Sequence, residues 1–259
     1  PDNNSWKANR NVNFTFNSSV DTRPANGSLW TNATGTWAFT LLNNSAVNQN
    51  IPAGINFTFS SDGDFLWNIQ VCDTNGLCGF NNTNRTVRID SIAPFVNLTS
   101  PDNNSWKANR SMNFTFNTTD ANIVNATLFT NQSGSWSPTQ ANQTAVQNNL
   151  INGINYTFAS DSTYLWNIQV CDTAGNCAFN SSNRTVNINT VPANVTLTNP
   201  PDLGALQSRT ISFLFIPNNS RTPNFINATF WTQAGGGWRI LAANSSALVN
   251  NTNNTITYT

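Results

Sequence analysis

A repeat of about 100 residues runs through this chain and constrains its fold more than any other feature. The segment that begins at Pro1 reads PDNNSWKANRNVNFTFN, and the segment that begins at Pro101 reads PDNNSWKANRSMNFTFN. The two copies stay aligned as far as residues 66–78 (LWNIQVCDTNGLC) and 165–177 (LWNIQVCDTAGNC). A diverged third copy begins near Pro201. This period is far longer than that of a solenoid and matches one small β-sandwich domain.

Apolar and polar residues alternate strictly in several segments of each copy. The clearest cases are residues 12–17 and 112–117, where each Phe is flanked by Asn and Thr. A period of two is typical of antiparallel strands that bury one face. Turn residues separate these segments, and no segment has a helical period. The sequence therefore predicts an all-β protein.

The repeat boundaries predict three tandem antiparallel β-sandwich domains, over residues 1–91, 92–191 and 192–259. The first copy has no counterpart of the opening strand at residues 95–99, and the third has no counterpart of the Cys-containing hairpin. Two explanations are open. The chain was cut from a longer array, or a neighbouring subunit supplies the missing strands by addition to a sheet edge.

Composition excludes several functional classes. The chain has no His and no Glu, so the commonest general base and the commonest metal ligand are both absent. It has 11 basic and 11 acidic residues, whereas a nucleic-acid-binding protein needs an excess of basic side chains. No apolar run reaches the roughly 18 residues that a membrane span needs. We therefore predict a protein that is not an enzyme, binds no metal, cofactor or nucleic acid, and has no membrane span in this segment.

Acceptor triplets for N-glycosylation are unusually frequent. The 49 Asn residues include 26 in the pattern Asn-x-Ser/Thr, whereas composition alone gives roughly 10. On a strand, the Asn and Thr of each triplet share one face and the residue between them takes the other. An alternative is that Asn and Thr only make a polar face, but Asn is disfavoured in strands. We predict covalent N-glycans at sites that include Asn13, Asn17, Asn26, Asn32, Asn56, Asn81, Asn84, Asn97, Asn113, Asn117, Asn125, Asn131, Asn155, Asn180, Asn183, Asn194, Asn218, Asn227 and Asn244.

The four cysteines lie at equivalent places in the first two copies. Of the three possible connectivities, recurrence favours the local pairs Cys72 with Cys78 and Cys171 with Cys177. A zinc site is the alternative, but it lacks His and the usual ligand spacing. Disulfides and glycans both indicate a location outside the cytosol.

Three aromatic residues, Trp30, Phe129 and Trp231, recur on the triplet face of equivalent segments. They form a possible interface with a glycan or a neighbouring subunit. The alternative is a second buried layer, or a bulge that reverses the alternation.

Acidic residues give little sign of a metal site. Asp62-Gly63-Asp64 fits a turn better than a calcium site, because the equivalent segment carries only Asp161. Asp90 has Asn189 as its counterpart, so the sequence predicts no calcium site at the repeat junctions.

The Cys-containing hairpin at residues 164–177 resembles the Asp-x-Ala-Gly-Asn hairpin of tandem immunoglobulin-like repeats in prokaryotic surface proteins. Residues 90–98 look like the linker and first strand of such repeats, and the Asn-rich version is similar to repeats of predicted archaeal surface proteins. The resemblance covers the first two copies fully and the third in part. It implies an immunoglobulin-like fold, display on the cell surface, and no catalytic residues.

These observations together predict a structural repeat protein of an extracellular filament or cell-envelope (S-layer) lattice, with glycans on its outer faces. Its partners would be further copies of itself and glycans. The alternative is the stalk or binding module of a cell-surface adhesin.

Overall fold

A computed structural model of the chain describes residues 1–19, 23–43, 47–142, 144–202, 208–219, 224–233, 236–244 and 246–259. All of the helical or strand structure in these residues is β-strand. The predicted all-β class with tandem β-sandwiches is therefore confirmed.

The first repeat contributes eight strands. They are β1 Ser5–Lys7, β2 Asn11–Phe16, β3 Pro24–Thr31, β4 Ala38–Leu42, β5 Ala53–Thr58, β6 Gly63–Asp73, β7 Cys78–Phe80 and β8 Arg85–Ile89. The larger sheet has the order β1-β8-β6-β3-β4, with β7 paired to β6 in addition. The second layer is the antiparallel pair β2 and β5.

The second repeat contributes nine strands. They are β9 Phe95–Ser100, β10 Ser105–Lys107, β11 Ser111–Thr119, β12 Ile123–Thr130, β13 Ser137–Ala141, β14 Ile151–Thr157, β15 Thr163–Asp172, β16 Cys177–Phe179 and β17 Arg184–Ile188. The larger sheet has the order β10-β17-β15-β12-β13, with β16 on β15, and the smaller sheet has the order β14-β11-β9. This repeat therefore reproduces the first and adds β9 to the smaller sheet.

The third repeat contributes seven strands among the described residues. They are β18 Asn194–Asn199, β19 Ile211–Asn218, β20 Asn224–Phe225, β21 Ala228–Thr232, β22 Arg239–Asn244, β23 Leu248–Val249 and β24 Asn254–Tyr258. They form the sheet β18-β19-β24 and the pairs β20 with β23 and β21 with β22.

Alternation on the strands places the side chains as the sequence predicts in the first two repeats. Phe14 on β2 and Phe114 on β11 are fully buried, whereas Asn13 and Asn113 are exposed. The ring of Phe14 lies 4.9 Å from that of Trp67, and Phe114 lies 4.8 Å from Trp166. One tryptophan of the larger sheet therefore packs on one phenylalanine of the smaller sheet in both repeats.

The third repeat departs from this pattern on β18. Val195 and Leu197 are 54% and 77% exposed, so the expectation that this strand buries its apolar residues is wrong. In the second repeat, the equivalent strand β9 lies close to β16. In the third repeat, no strand of the described residues corresponds to β16.

One strand pair in each of the first two repeats is parallel rather than antiparallel. β1 runs beside β8 with Ser5 opposite Val87, and β10 runs beside β17 with Ser105 opposite Val186. The first strand of the larger sheet therefore lies against the last strand of the same repeat. The sequence alternation alone predicted only antiparallel pairs.

The described chain divides into two compact units. Unit 1 comprises Pro1–Asp102, Asn113–Tyr156 and Leu165–Arg184, and unit 2 comprises Asn103–Met112, Thr157–Tyr164 and Thr185–Thr259. One core of unit 1 centres on Phe14, Leu29 and Trp67, and one core of unit 2 on Phe215, Leu248 and Ile256. The three domain boundaries that the repeats suggest stay a prediction.

Candidate functional site: outer aromatic clusters, linker clamps and a junction acid cluster

The outer face of the first larger sheet carries three aromatic side chains, Trp30, Phe39 and Phe80, which we name the first outer cluster. The Trp30 ring lies 6.2 Å from Phe39 and 5.4 Å from Phe80, edge to face in both cases. Leu29, the neighbour of Trp30 on β3, is fully buried, so alternation turns Trp30 away from the core. Phe39 and Phe80 are exposed. The cluster is therefore a surface feature.

The second repeat has a matching second outer cluster of Phe129, Trp136 and Phe179. Phe129 lies 6.0 Å from Trp136 and 4.9 Å from Phe179. In the third repeat Trp231 is 50% exposed, and its Nε1 donates a hydrogen bond to Thr229 Oγ1 at 2.9 Å. The structure thus places Trp30, Phe129 and Trp231 on outer faces, with Trp30 and Phe129 only partly exposed.

A buried asparagine holds two acceptor triplets beside each of the first two clusters. Asn68 lies opposite Trp30 in the strand register, and its Nδ2 donates to Asn81 O and to Asn84 Oδ1, both at 2.9 Å. In the second repeat, Asn167 makes the equivalent bonds to Asn180 O and Asn183 Oδ1 at 2.9 Å. Neither Asn68 nor Asn167 begins an acceptor triplet, so the triplet pattern gives no sign of their role.

None of the asparagines that we predict to carry glycans is buried. Asn32 and Asn131 accept backbone N–H groups of Leu66 and Leu165 through Oδ1, at 2.8 and 2.9 Å. A glycan attached to Nδ2 would leave that acceptor oxygen available. Ser220, the third residue of the Asn218 triplet, lies outside the described residues.

Each of the first two repeats fastens the linker that follows it through an Arg–Asp pair, which we name a linker clamp. In the first clamp, Asp62 Oδ1 accepts Arg10 Nε at 2.8 Å, and its Oδ2 accepts the Ser91 N–H at 3.0 Å. Burial acts to raise the pKa of Asp62, but the hydrogen bonds from Arg10 and Ser91 outweigh it, so the pKa lies below its ordinary value. Asp62 therefore does more than shape the turn that the sequence predicted.

The second linker clamp repeats this geometry with Arg110, Asp161 and Thr190. Asp161 Oδ1 accepts Arg110 Nε at 2.7 Å, and Oδ2 accepts the Thr190 N–H at 2.8 Å. The backbone hydrogen bond from Thr190 and the side-chain hydrogen bond from Arg110 lower the pKa of Asp161 to about 2.

We expect the Asp161→Asn variant to melt at a lower temperature than the wild type at pH 7, and to lose that difference in acid. The pKa of Asp161 is depressed in the folded state, so its contribution to stability is complete above the ordinary pKa of 3.8. That contribution is lost as the pH falls towards about 2. Thermal melts from pH 7 to pH 2 measure the difference. The control is Asp64→Asn, because the Asp64 side chain is 62% exposed. An equal effect of both variants would contradict a stabilising role for the second linker clamp.

Three carboxylates meet where the first repeat joins the second, and we name Asp90, Asp120 and Asp172 the junction acid cluster. One carboxylate oxygen from each lies within 4.8 Å of the others. Asn176 Nδ2 donates to Asp172 Oδ2 at 2.7 Å and to the backbone oxygen of Asp90 at 2.8 Å. Burial, together with the charges of Asp90 and Asp172, raises the pKa of Asp120 above its ordinary value, against the effect of the Asn122 N–H. Alignment of the repeats pairs Asp90 with Asn189, so repetition in the sequence gives no sign of this cluster.

The junction after the second repeat uses amides at the equivalent place. Asn189 Nδ2 donates to Asn219 Oδ1 at 3.1 Å, and Asn219 Nδ2 donates to Val191 O at 3.2 Å. Both junctions therefore have a linker clamp, but carboxylate side chains lie beside the first clamp and amide side chains lie beside the second.

We expect the Asp120→Asn variant to raise the melting temperature at pH 7 by about 1–3 °C. The folded-state pKa of Asp120 is raised, so its ionised form is disfavoured in the fold at neutral pH. This penalty disappears as the pH falls towards the ordinary pKa of 3.8, and the variant should lose its advantage there. Calorimetry at pH 7 and pH 4 measures the change, with the exposed Asp102→Asn as control. A destabilised Asp120→Asn protein at pH 7 would contradict the assignment.

Both Cys-containing hairpins are closed by disulfides, Cys72–Cys78 and Cys171–Cys177, with S–S distances of 2.02 and 2.04 Å. In the second hairpin, Asp172 Oδ1 accepts the Gly175 and Asn176 N–H groups at 2.8 and 2.9 Å. Gly175 has a φ of 96°, which a residue with a side chain rarely adopts. The turn therefore depends on both Asp172 and Gly175.

The described residues include no helix of the length and apolarity that a bilayer crossing requires.

Comparison with known proteins finds similar structures but assigns no family. No family model and no curated protein matches the chain. Fibronectin(III)-like modules of Clostridium thermocellum CbhA share 13% identity over 72% of this chain and 88% of theirs, with a TM-score of 0.45. A tetra-tandem repeat from the extending region of a large adhesion protein shares 15% identity over 96% of this chain and 62% of its own, with a TM-score of 0.33.

A 1.5-MDa bacterial ice-binding adhesin is also similar, with 16% identity over 96% of this chain and 88% of the adhesin structure, and a TM-score of 0.31. Because all three TM-scores lie below 0.5, the fold assignment rests on the strand topology described above.

Proposed function

We propose that this chain is a non-catalytic structural module of an extracellular filament or cell-envelope layer, with N-glycans on its outer faces. One observation carries the proposal. Asn13 and Asn113 lie exposed on strands whose next residues, Phe14 and Phe114, are fully buried. Asn is disfavoured in β-strands, and glycan attachment gives a reason for its presence there.

Two further features support a load-bearing extracellular role. The linker clamps fasten the residues that join one repeat to the next, which limits their freedom. The two disulfides close their hairpins, and such bonds persist in oxidising surroundings.

Glycopeptide mass spectrometry on native material, combined with electron microscopy of its assembly, tests the proposal. We expect glycans on several outer-face triplets and a regular fibre or lattice. A Thr15→Ala variant removes the Asn13 triplet and should lose the glycan at Asn13, whereas Thr40→Ala, which lies in no triplet, should lose none. Unmodified asparagines throughout native material would refute the proposal.

A cell-surface adhesin module is the second candidate, favoured by the first and second outer clusters. Exposed aromatic rings can stack on sugars or on a partner's surface. If the clusters bind a glycan, Trp30→Ala should weaken retention on a glycan array, and the exposed Leu66→Ala should not. Equal retention of both variants and the wild type would count against an adhesive role for this cluster.

A further inference from the structure

One acceptor triplet of the first repeat lies on the same strand as Trp30 of the first outer cluster. Residues 26–28 of β3 form the triplet Asn-Gly-Ser, and Trp30 follows two positions later. A Cβ atom added to Gly27 would lie 2.6 Å from the Phe16 ring of the smaller sheet, so the middle residue of the triplet faces the core. Because side chains alternate along a strand, Asn26 and Trp30 share the outer face.

The second repeat has the same arrangement on β12. Residues 125–127 form the triplet Asn-Ala-Thr, and Phe129 of the second outer cluster follows two positions later. Ala126 is fully buried, so Asn125 and Phe129 take the outer face. Both repeats therefore place an acceptor asparagine four positions before an aromatic residue of the outer cluster.

The indole of Trp30 extends towards Asn26. Its Nε1 donates to Ser28 Oγ at 3.2 Å, and Ser28 is only 5% exposed although it lies on the outer face. Positions two apart on a strand are separated by about 7 Å. The nitrogen edge of the indole therefore ends one such step from the Asn26 side chain, a gap that a sugar ring linked to Asn26 Nδ2 spans.

The hairpin strands β7 and β16 bring a second aromatic ring to the same place. Gln70 of β6 lies opposite both Ser28 and Phe80. Phe179 of β16 takes the position of Phe80 in the second repeat, opposite Gln169. In both repeats, an aromatic ring of the outer cluster therefore lies level with the last residue of the triplet.

The disulfide of each hairpin borders the acceptor asparagine. Cys72 lies opposite Asn26 in the pairing of β6 with β3, and it lies opposite Cys78 in the pairing of β6 with β7. Cys78 is exposed. The second repeat has Asn125 opposite Cys171 in the same way. A group attached to Asn26 therefore has the outer cluster next to it along the strand and the disulfide next to it across the sheet.

The side-chain amides of Asn26 and Asn125 are available for attachment. No hydrogen bond joins either side chain to another described residue. By contrast, Asn81 beside the first outer cluster donates its Nδ2 to the backbone oxygen of Thr83 at 2.9 Å. Attachment of a sugar to Asn26 Nδ2 therefore displaces no hydrogen bond of the described chain.

We propose that N-glycans on Asn26 and Asn125 fold back onto the sheet, where their first sugar rings pack on the outer clusters and cover the neighbouring disulfides. The C–H face of a pyranose ring is apolar and packs on aromatic rings, while its hydroxyl groups stay in water. The occupant of each cluster is then a glycan of the same chain. This inference deepens the proposed function, on which it rests, by naming two glycan sites and what their sugars contact.

A double-mutant cycle on glycosylated protein from the native host tests the contact. We expect Asn26→Gln to lower the melting temperature of the first repeat by about 2–5 °C in the wild type, and by less than about 1 °C when Trp30→Leu is also present. The matched control is Asn13→Gln, which removes a triplet of the smaller sheet and should have the same effect with either residue at position 30. Equal effects of Asn26→Gln in both backgrounds, as a foreign glycan or a second copy over the cluster would give, overturn the proposal.

Reduction of the Cys72–Cys78 disulfide is a second measurement, which leaves the outer cluster unchanged. In folded glycosylated protein, Asn26→Gln should speed reduction by dithiothreitol at least about threefold, because no sugar then limits access to Cys78. Alkylation of the released thiols followed by mass spectrometry measures the rate. Asn13→Gln should keep the wild-type rate, and an unchanged rate in Asn26→Gln overturns the proposal.

Glycopeptide mass spectrometry on the same material separates this inference from the proposed function. Bare Asn26 and Asn125 in protein that carries glycans at other outer-face triplets would refute the inference alone. Asparagines without glycans throughout native material would refute the proposed function as well.

Discussion

The Trp166→Ala variant is expected to lose about 3–5 kcal/mol of unfolding free energy in the second repeat. Trp166 is fully buried on β15, and its ring packs on Phe114 of the smaller sheet at 4.8 Å. Removing the indole leaves a cavity between the two sheets, which a rigid strand framework fills only partly. Equilibrium urea unfolding followed by circular dichroism measures the loss.

Two control variants show whether the cavity causes this loss. Trp166 Nε1 is buried and has no hydrogen-bond partner among the described residues. Trp166→Phe removes that unpaired donor while keeping most of the ring, so it should cost only about 1–2 kcal/mol. Leu165→Ala, at the exposed neighbouring position, should cost less than about 0.5 kcal/mol. A Trp166→Phe variant as unstable as Trp166→Ala would contradict this account.

The double variant Cys171→Ser, Cys177→Ser is expected to lose about 2 kcal/mol, the next largest effect. The two cysteines are separated by 6 positions, so the disulfide restricts only a short loop of the unfolded chain. Hydrogen bonds from the hairpin to Asp172 stay in place, which limits the loss. Urea unfolding of the variant under oxidising conditions measures it.

Reduction of the wild type provides an independent check of the disulfide effect. Because the first repeat contains the equivalent Cys72–Cys78 bond, dithiothreitol should destabilise both repeats by similar amounts. It should have no further effect on the second repeat of the double variant. A double variant as stable as the oxidised wild type would show that the hairpin is held by its hydrogen bonds alone.

The fold could be predicted because its main determinants are local. Alternation of apolar and polar residues around Phe14 and Phe114 indicates strands and also says which face is buried. Repetition of the hairpin with its cysteines then favours local disulfides. On β18 the same pattern predicts buried side chains, but Val195 and Leu197 are exposed. Alternation shows which side chains share a face of a strand, but it does not show whether another strand packs against that face.

The functional surfaces were only partly predictable. Alternation places Trp30 on the outer face, but its packing with Phe39 and Phe80 depends on a bulge between Leu29 and Trp30 and on the pairing of distant strands. The linker clamps join residues that are 52 and 29 positions apart, such as Arg10 with Asp62 and Asp62 with Ser91. No local sequence pattern encodes such contacts.

The junction acid cluster was missed for a related reason. Position-by-position comparison of repeats sets Asp90 against Asn189 and finds no shared acid. The cluster instead gathers acids from three separate segments, and only the fold brings Asp120 and Asp172 next to Asp90.

The parallel pairing of β1 with β8 has a mechanical consequence. When a repeat is stretched from its two ends, parallel terminal strands are pulled in opposite directions along their length. Tension then loads the hydrogen bonds between Ser5–Lys7 and the strand beside it together, in shear, instead of opening them one after another. β10 and β17 repeat this parallel pairing, so tension that reaches Ser105–Lys107 through β9, the first strand of the second repeat, should load their hydrogen bonds in the same way.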